Sequence, residues 1–364
     1  MRRALELARG VCYSTAPNPR VGCVVVRAGE VLGEGATQPP GGPHAEIVAL
    51  RDAGRRGHDI AGATVYVTLE PCSHHGRTPP CADALVAARP ARLVAAMGDP
   101  NPLVGGNGFL ALERAGIEVV RGVCLQEALE LNAGFAARMS RGTPWVWLKL
   151  AASLDGRGAL HNGVSQWITG EAARADGHHW RARSCVVLTG MGTVLADDPR
   201  LDVRHVATPR PPRKAVVDAR FEISEQARLF DGSEVLIFTA RADPAKAARL
   251  AARNARVVEL PGPGGRVDLP AMMRWLGAHE INEVHVEAGA GLSGALLAAD
   301  CVDELIVYLA PMLLGDAAGM VRLPMLEHLD HARRFEFTDL ARVGADARLR
   351  ARVASRWQAL AGAV

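Results

Sequence analysis

The chain has 364 residues, 49% hydrophobic and 22% charged, a globular balance that excludes a largely disordered protein and, at about 150 residues per domain, implies roughly two units. Its 42 Lys+Arg and 39 Asp+Glu leave a formal +3 spread along the sequence, too weak a field for duplex DNA, and 4% aromatics supply few stacking platforms for single strands. No run of about 18 uncharged apolar residues is present to span a membrane. Glu6 and Arg9 interrupt an N-terminal stretch that otherwise imitates a signal peptide. A cytoplasmic protein with neither nucleic-acid nor membrane partners is expected.

Residues 2–9 read as a helix that opens at Met1 with no capping residue ahead, which implies a slightly earlier start of the chain. Strands at 21–26 and 31–35 form a pair, and 44–55 is helical. A β-branched strand at 64–69, a helix at 81–89 and a strand at 92–96 follow. A helix at 108–115, a strand at 117–120 and a helix at 125–138 complete the series. Strands alternating with helices imply an α/β sheet covered on both faces. MSRGTP at 139–144 breaks the pattern, so the boundary falls there, with domains 1–142 and 143–364.

The second series has strands at 145–150, 185–189, 215–218, 235–239, 257–260, 284–287 and 305–309. The end of the chain, RFEFTDLARVGADARLRARV, alternates with period two about Gly344 and reads as an antiparallel hairpin.

Seven cysteines are an odd number in a chain with ample core, so metal binding or burial explains them better than disulfides. Cys23, Cys185 and Cys301 lie in or beside apolar runs and read as small buried hydrophobes. Cys72 and Cys81 belong with His44-Ala-Glu46. One imidazole and two thiolates give zinc three ligands and leave its fourth position to a water whose pKa the metal lowers. Glu46 is then placed to move a proton from that water to a departing amine. This is the plan of a deaminase. Both cysteines are expected near the first turn of a helix, where the dipole favours thiolate.

Nucleoside and polynucleotide deaminases of this type carry two residues between the cysteines. Here eight intervene, SHHGRTPP, and His74, His75 and Arg77 would suit an anionic or hydroxylated substrate. The competing reading is a structural zinc knuckle closed by His74 or His75, which leaves Glu46 without a task.

In the second half, EVHVEA at 283–288 reads as a strand, followed by GAGLSG at 289–294 and a helix at 295–299. Glycines there let backbone N–H groups approach a phosphate. The next strand lacks the acid, about 20 residues on, that would clasp an NAD ribose. An ordinary Rossmann domain is therefore excluded. A phosphate loop of another α/β fold, or merely a tight strand-to-helix turn, remains.

HAE at 44–46, TLEPCSHHGRTPPC at 68–81, APNPRVGC at 16–23 and GDPNPLVGGNG at 98–108 resemble the bifunctional riboflavin-biosynthesis deaminase/reductase family. LKLAASLDGR at 148–157, SQWIT at 165–169, TVLADDPRL at 193–201 and VEAGAGLSGALL at 286–297 resemble its reductase half. Departures are Thr15-Ala16, where a His-Pro-type approach is common, and Ala290, where proline is common.

The resemblance implies two domains, a cytidine-deaminase-like α/β/α layer and a dihydrofolate-reductase-like α/β domain. It implies Zn2+ held by His44, Cys72 and Cys81, Glu46 as the proton shuttle, and Asn18 on the pyrimidine unless it is only a turn residue; Asp99 and Asn101 are read equally well as turn formers. It implies NADPH lined by Ala151, Trp167, Thr193, Asp197 and the run Gly289, Ala290, Gly291, Leu292, Ser293, Gly294 and Ala295. Ser165, Arg181, Leu201, Arg204 and Glu287 would meet a small-molecule pyrimidine ribose-phosphate. Arg181 and Arg204 suit its phosphate because a guanidinium matches two oxygens at once.

Lys149 is expected to contact the sugar or relay a proton, and Lys149, Asp197 and Glu287 are the candidate proton donors. A homo-oligomer is implied too. Two rival readings are a nucleobase or tRNA deaminase with a vestigial second domain, and an RNA-binding module with structural zinc.

Overall fold

The computed structural model describes residues 1–74, 79–102 and 104–364. The chain divides into two compact units, Met1–Gly142 with Gln358–Val364, and Thr143–Trp357. The final residues, read from sequence as part of the second domain, thus group with the first.

The first unit runs α1 (Arg2–Gly10), β1 (Gly22–Arg27), β2 (Glu30–Ala36), α2 (Ala45–Arg55), β3 (Thr64–Val67), α3 (Cys81–Ala88), β4 (Arg92–Ala95), α4 (Asn107–Arg114), β5 (Glu118–Val120) and α5 (Leu125–Arg141). The sheet order is β2-β1-β3-β4-β5, with β1 antiparallel to both neighbours and β3, β4 and β5 parallel. Helix α2 lies hard against β2 because Gly33 has no side chain: a Cβ there would stand 2.4 Å from the Ala49 carbonyl oxygen. That close seat fixes α2, and with it the residues at its start.

The second unit runs β6 (Trp145–Ser153), β7 (Arg157–Ala159), α6 (Glu171–Arg183), β8 (Val186–Gly190), α7 (Met191–Asp197), β9 (Arg213–Val217), β10 (Val235–Thr239), α8 (Pro244–Ala251), β11 (Ala255–Glu259), α9 (Leu269–Ala278), β12 (Glu283–Glu287), α10 (Ala290–Ala298), β13 (Glu304–Ala310), β14 (Ala318–Gly319), β15 (Glu336–Val343) and β16 (Asp346–Arg352), and the division between the units falls within α11 (Ala354–Ala361). Its nine-stranded sheet has the order β11-β10-β9-β8-β12-β6-β13-β16-β15. The strands from β11 to β13 are parallel, and β16 and β15 are antiparallel additions.

Parallel strands are covered on both faces and so read as continuous apolar runs, as in β8 and β10, every residue of which is buried. All the strands expected from such runs are present, and so is the terminal hairpin. Its turn uses Gly344 at φ +63°, a left-handed conformation that glycine adopts without strain. The small β7–β14 ladder and helices α6 to α9 have no counterpart in the sequence reading.

Candidate active sites

In the first unit, His44 caps α2 in extended backbone and Cys81 is the first residue of α3, buried at 1% exposure. Cys72 lies in the loop after β3 and not in a helical first turn as expected. Helix α3 still serves it, because the Cys81 N–H donates to the Cys72 sulfur at 3.3 Å. The Ala82 N–H donates to the Cys72 carbonyl at 3.1 Å and holds the loop to the helix start.

His44 Nδ1 stands 3.5 Å from Cys72 Sγ and 3.3 Å from Cys81 Sγ, and the three donor atoms lie within 4.8 Å of one another. Tetrahedral zinc with ordinary Zn–N and Zn–S bonds puts such atoms about 3.5 Å apart. The donor set therefore fits zinc in spacing and in chemistry. Among the described residues no fourth donor joins it, and His74 is exposed. His75 and Arg77 lie outside the described residues.

A hydrogen bond from Cys81, with His44 adding to it, pulls the Cys72 thiol down to about 4, while the same bond and burial push the Cys81 thiol up. Two sulfurs sharing one proton beside an imidazole is an arrangement that a divalent cation relieves. Glu46, in the first turn of α2, is 4% exposed, and burial raises its pKa to about 7. A carboxyl at that value can both accept and return a proton near neutral pH.

Glu70, two residues before Cys72, is buried and accepts four backbone N–H groups. Those of Asp99 and Gly106 reach Oε2 at 3.1 and 2.9 Å, and those of Gly108 and Phe109 reach Oε1 at 2.8 and 3.3 Å. Asp99 Oδ1 accepts the Asn101 N–H at 2.9 Å, the bond a turn former makes. Asn18 is half-buried, with its backbone N–H on the Thr15 carbonyl at 2.9 Å. A cavity of about 700 Å³ in this unit is lined by Glu70, Asp99, Asn101, Phe109 and Arg121 among others and excludes the His44–Cys72–Cys81 group. Donor chemistry, not cavity size, locates the metal centre.

In the second unit, β6 and β12 are parallel neighbours in register, with Glu287 beside Lys149. Arg181, on α6, donates from Nε to Glu287 Oε1 at 2.5 Å and from Nη2 to Oε2 at 2.8 Å. Its Nη1 donates to the Asp202 carbonyl at 2.8 Å. Each guanidinium nitrogen thus makes one hydrogen bond within the protein, and Arg181 braces Glu287. Burial alone would push the Glu287 carboxyl up, but the Arg181 charge and hydrogen bonds outweigh it and hold it well below the usual range.

Burial lowers the Lys149 pKa, and its ammonium makes no hydrogen bond to another described residue; it lies 5.9 Å from the centre of the Tyr308 ring. Arg204 has a 57% exposed side chain, its Nε 3.6 Å from Asp202. Asp197, exposed at the end of α7, accepts from Gln166 Nε2 at 2.7 Å. Ser165 and Trp167 are exposed, and the Arg174 guanidinium lies 4.5 Å over the Trp167 ring. Leu201 is buried at φ +50°, and Ala151 pairs with Tyr308 across β6 and β13.

Gly289 caps α10 without a side chain to fill the first-turn N–H groups, and a Cβ there would come within 3.9 Å of Thr193 Oγ1. Free amides at a helix start suit the phosphates of NADPH. The run 289–295 divides: 289–292 is exposed or half-exposed, whereas Ser293 turns its hydroxyl to the Ala288 carbonyl and Gly294 makes room for the Arg322 backbone. His285 and Glu70 are the residues that the sequence reading passes over. His285 shares a strand face with Glu287 by period two, which is a readable signal. Glu70 gives no such signal, because its partners are backbone amides of a distant loop.

Residues 144–349 match the model of the RibD C-terminal domain, and residues 1–97 match that of the cytidine and deoxycytidylate deaminase zinc-binding region. The riboflavin biosynthesis protein RibD of Escherichia coli K12 is 48% identical over 359 residues, 95% of this chain and 96% of that protein. The chain belongs to the RibD family. RibD of Haemophilus influenzae is 43% identical over 362 residues, 96% of this chain and 95% of that protein.

Two solved structures agree in fold. One form of Acinetobacter baumannii RibD superposes with a TM-score of 0.88 at 43% identity, covering 96% of this chain and 97% of that one. The diaminohydroxyphosphoribosylaminopyrimidine deaminase/5-amino-6-(5-phosphoribosylamino)uracil reductase of Thermotoga maritima does so with a TM-score of 0.86 at 32% identity, covering 97% of each. Like RibD proteins generally, this chain is a bifunctional deaminase and reductase of riboflavin biosynthesis that uses zinc and NADPH. The match along 144–349 removes the reading of a nucleobase deaminase with a vestigial second domain.

Proposed function

We propose that the first unit removes ammonia from 2,5-diamino-6-(5-phosphoribosylamino)pyrimidin-4(3H)-one. The second unit then uses NADPH to reduce the ribosyl group of the resulting 5-amino-6-(5-phosphoribosylamino)uracil to ribityl. The observation that carries this reading is the His44–Cys72–Cys81 group at zinc-ligand spacing with the buried Glu46 beside it.

Bound there by His44, Cys72 and Cys81, zinc supplies Lewis acidity that makes water a nucleophile near neutral pH. Glu46 takes a proton from the water that attacks the amine-bearing ring carbon. It returns that proton to the amino group as the carbon–nitrogen bond breaks and ammonia leaves. Asn18 orients the pyrimidine through its side-chain amide.

Ala151, Trp167, Thr193, Asp197 and the start of α10 would hold NADPH, which would supply the hydride for C1′ of the ring-opened sugar. Lys149 delivers the proton at the sugar oxygen. Glu287 is held ionised by Arg181, and Asp197 is tied to Gln166 at the surface, so the unbonded ammonium is the best-placed donor of the three candidates. Glu287 meets the sugar together with Ser165 and Leu201, and the exposed Arg204 takes the phosphate. Incubation with the diaminopyrimidine phosphate is expected to release ammonia without NADPH and to yield ribityl product with it. Ribityl product without prior ammonia release would overturn the order.

We propose further that the chain works in the cytoplasm as a homo-oligomer. No helix among the described residues is long and apolar enough to cross a membrane, and all seven cysteines are free. Strand β15 is an open sheet edge that leaves Phe337 and Leu340 74% and 73% exposed, surface that a second copy would cover. Light scattering on the purified protein tests this, and a monomer at all concentrations would refute it.

A further inference from the structure

His285 occupies the middle of β12, between Val284 and Val286, and is fully buried. Its neighbours in register are Trp147 on β6 and Val187 on β8. These four neighbouring positions are all apolar. An imidazole instead brings two ring nitrogens into the core, and neither makes a fully aligned hydrogen bond to a described residue. Buried polar groups without partners are uncommon, and where local consistency fails in this way the position tends to serve function.

The carboxylate of Glu287 lies on the same strand face, two residues along. His285 Nε2 is 3.2 Å from Glu287 Oε1. Arg181 grips the same carboxylate from α6, so Glu287 is approached from two sides: by the guanidinium fork from the helix and by the imidazole from its own strand. Lys149 lies beside Glu287 in register on β6. Burial and the nearby cations keep His285 neutral, which leaves one ring N–H to donate.

We propose that His285 is a positioning residue of the reductase: through Nε2 it sets the angle at which the Glu287 carboxylate faces the ribosyl group. The inference rests on the reading that Glu287 meets the substrate. Unlike the zinc ligands, His285 touches no reacting atom; its effect reaches the sugar only through Glu287. Its loss therefore moves the handling of the sugar and leaves NADPH binding unchanged.

The test uses the full-length protein carrying His285→Phe, His285→Gln or His285→Asn, with Glu287→Gln as a separate arm. Reductase kcat and KM for the aminouracil ribose-phosphate are measured, together with NADPH affinity by fluorescence. His285→Phe is expected to lower reductase kcat/KM by at least about tenfold, the scale of one hydrogen bond to a charged group, with NADPH affinity unchanged. Glutamine places an amide nitrogen near the Nε2 position and restores most of the rate; asparagine, which reaches only to Nδ1, does not. Should the Phe variant fail to fold, the Gln and Asn pair decides. A His285→Phe enzyme with wild-type kinetics, or a Gln variant no better than Asn, overturns the proposal. A fully active Glu287→Gln enzyme would instead remove Glu287 from the substrate, which fails the underlying reading by a separate route.

Discussion

The two catalytic centres of this chain are built on opposite electrostatic plans. In the first unit, two sulfurs that repel one another when both are ionised are held together with an imidazole within 4.8 Å, and beside them stands a carboxyl that burial raises to about 7. In the second, opposite charges are brought together, with Glu287 gripped by Arg181 and the Lys149 ammonium left without a hydrogen bond among the described residues. A cation completes the first. In the second, the carboxylate is already matched by a cation of the chain itself. The metal centre should therefore depend on an added ion, and the reductase centre on its own ion pair.

The largest effects test that contrast directly. Chelation of zinc is expected to abolish ammonia release while leaving NADPH oxidation with the deaminated substrate unchanged; equal loss of both activities would erase the distinction. Glu46→Gln should retain zinc, measured by elemental analysis, and lose roughly 10²- to 10⁴-fold in deaminase kcat, the usual contribution of a general acid–base group. Lys149→Met should cost the reductase a similar factor of about 10² to 10⁴ without weakening NADPH binding. With the ammonium as the proposed donor, the wild-type reductase rate should fall as pH rises through the lowered lysine pKa, and this alkaline limb should vanish in the variant.

Arg181→Met leaves Glu287 buried without its partner, which typically costs about 3–5 kcal/mol, read as a lower midpoint in the thermal unfolding of the second unit. The acid side has a definite sign. A carboxyl whose folded pKa lies below its unfolded value stabilises the fold above about 4.5, and that contribution is lost as pH falls through the folded value. The second unit should thus weaken in acid, and Arg181→Met should flatten that slope. Smallest of all, Glu70→Gln replaces an acceptor-only group by one with a single acceptor oxygen. Stranding part of its four amides should lower the stability of the first unit by about 1–3 kcal/mol while zinc stays bound. Loss of zinc in that variant would instead tie Glu70 to the metal centre.

Much of this was legible in the linear chain, and for a physical reason. Apolar runs and period-two alternation mark strands because burial on one or two faces is decided locally, so the strands of both sheets and the terminal hairpin could be read. The candidate donor set was readable too: imidazole and thiolate suit zinc, and the structure brings His44, Cys72 and Cys81 within 4.8 Å of one another. Cys72 was misjudged because an N–H from the start of α3 reaches back to it across the loop, a relation that spacing does not express. The pairing of Arg181 with Glu287 spans 106 residues and depends on α6 meeting β12. The same is true of the four amides on Glu70, of the unbonded Lys149, and of the imidazole at 285. Residue chemistry is written one position at a time. Which charges neutralise each other, and which are left to act, is settled only when distant strands and helices share a face and water is excluded from between them.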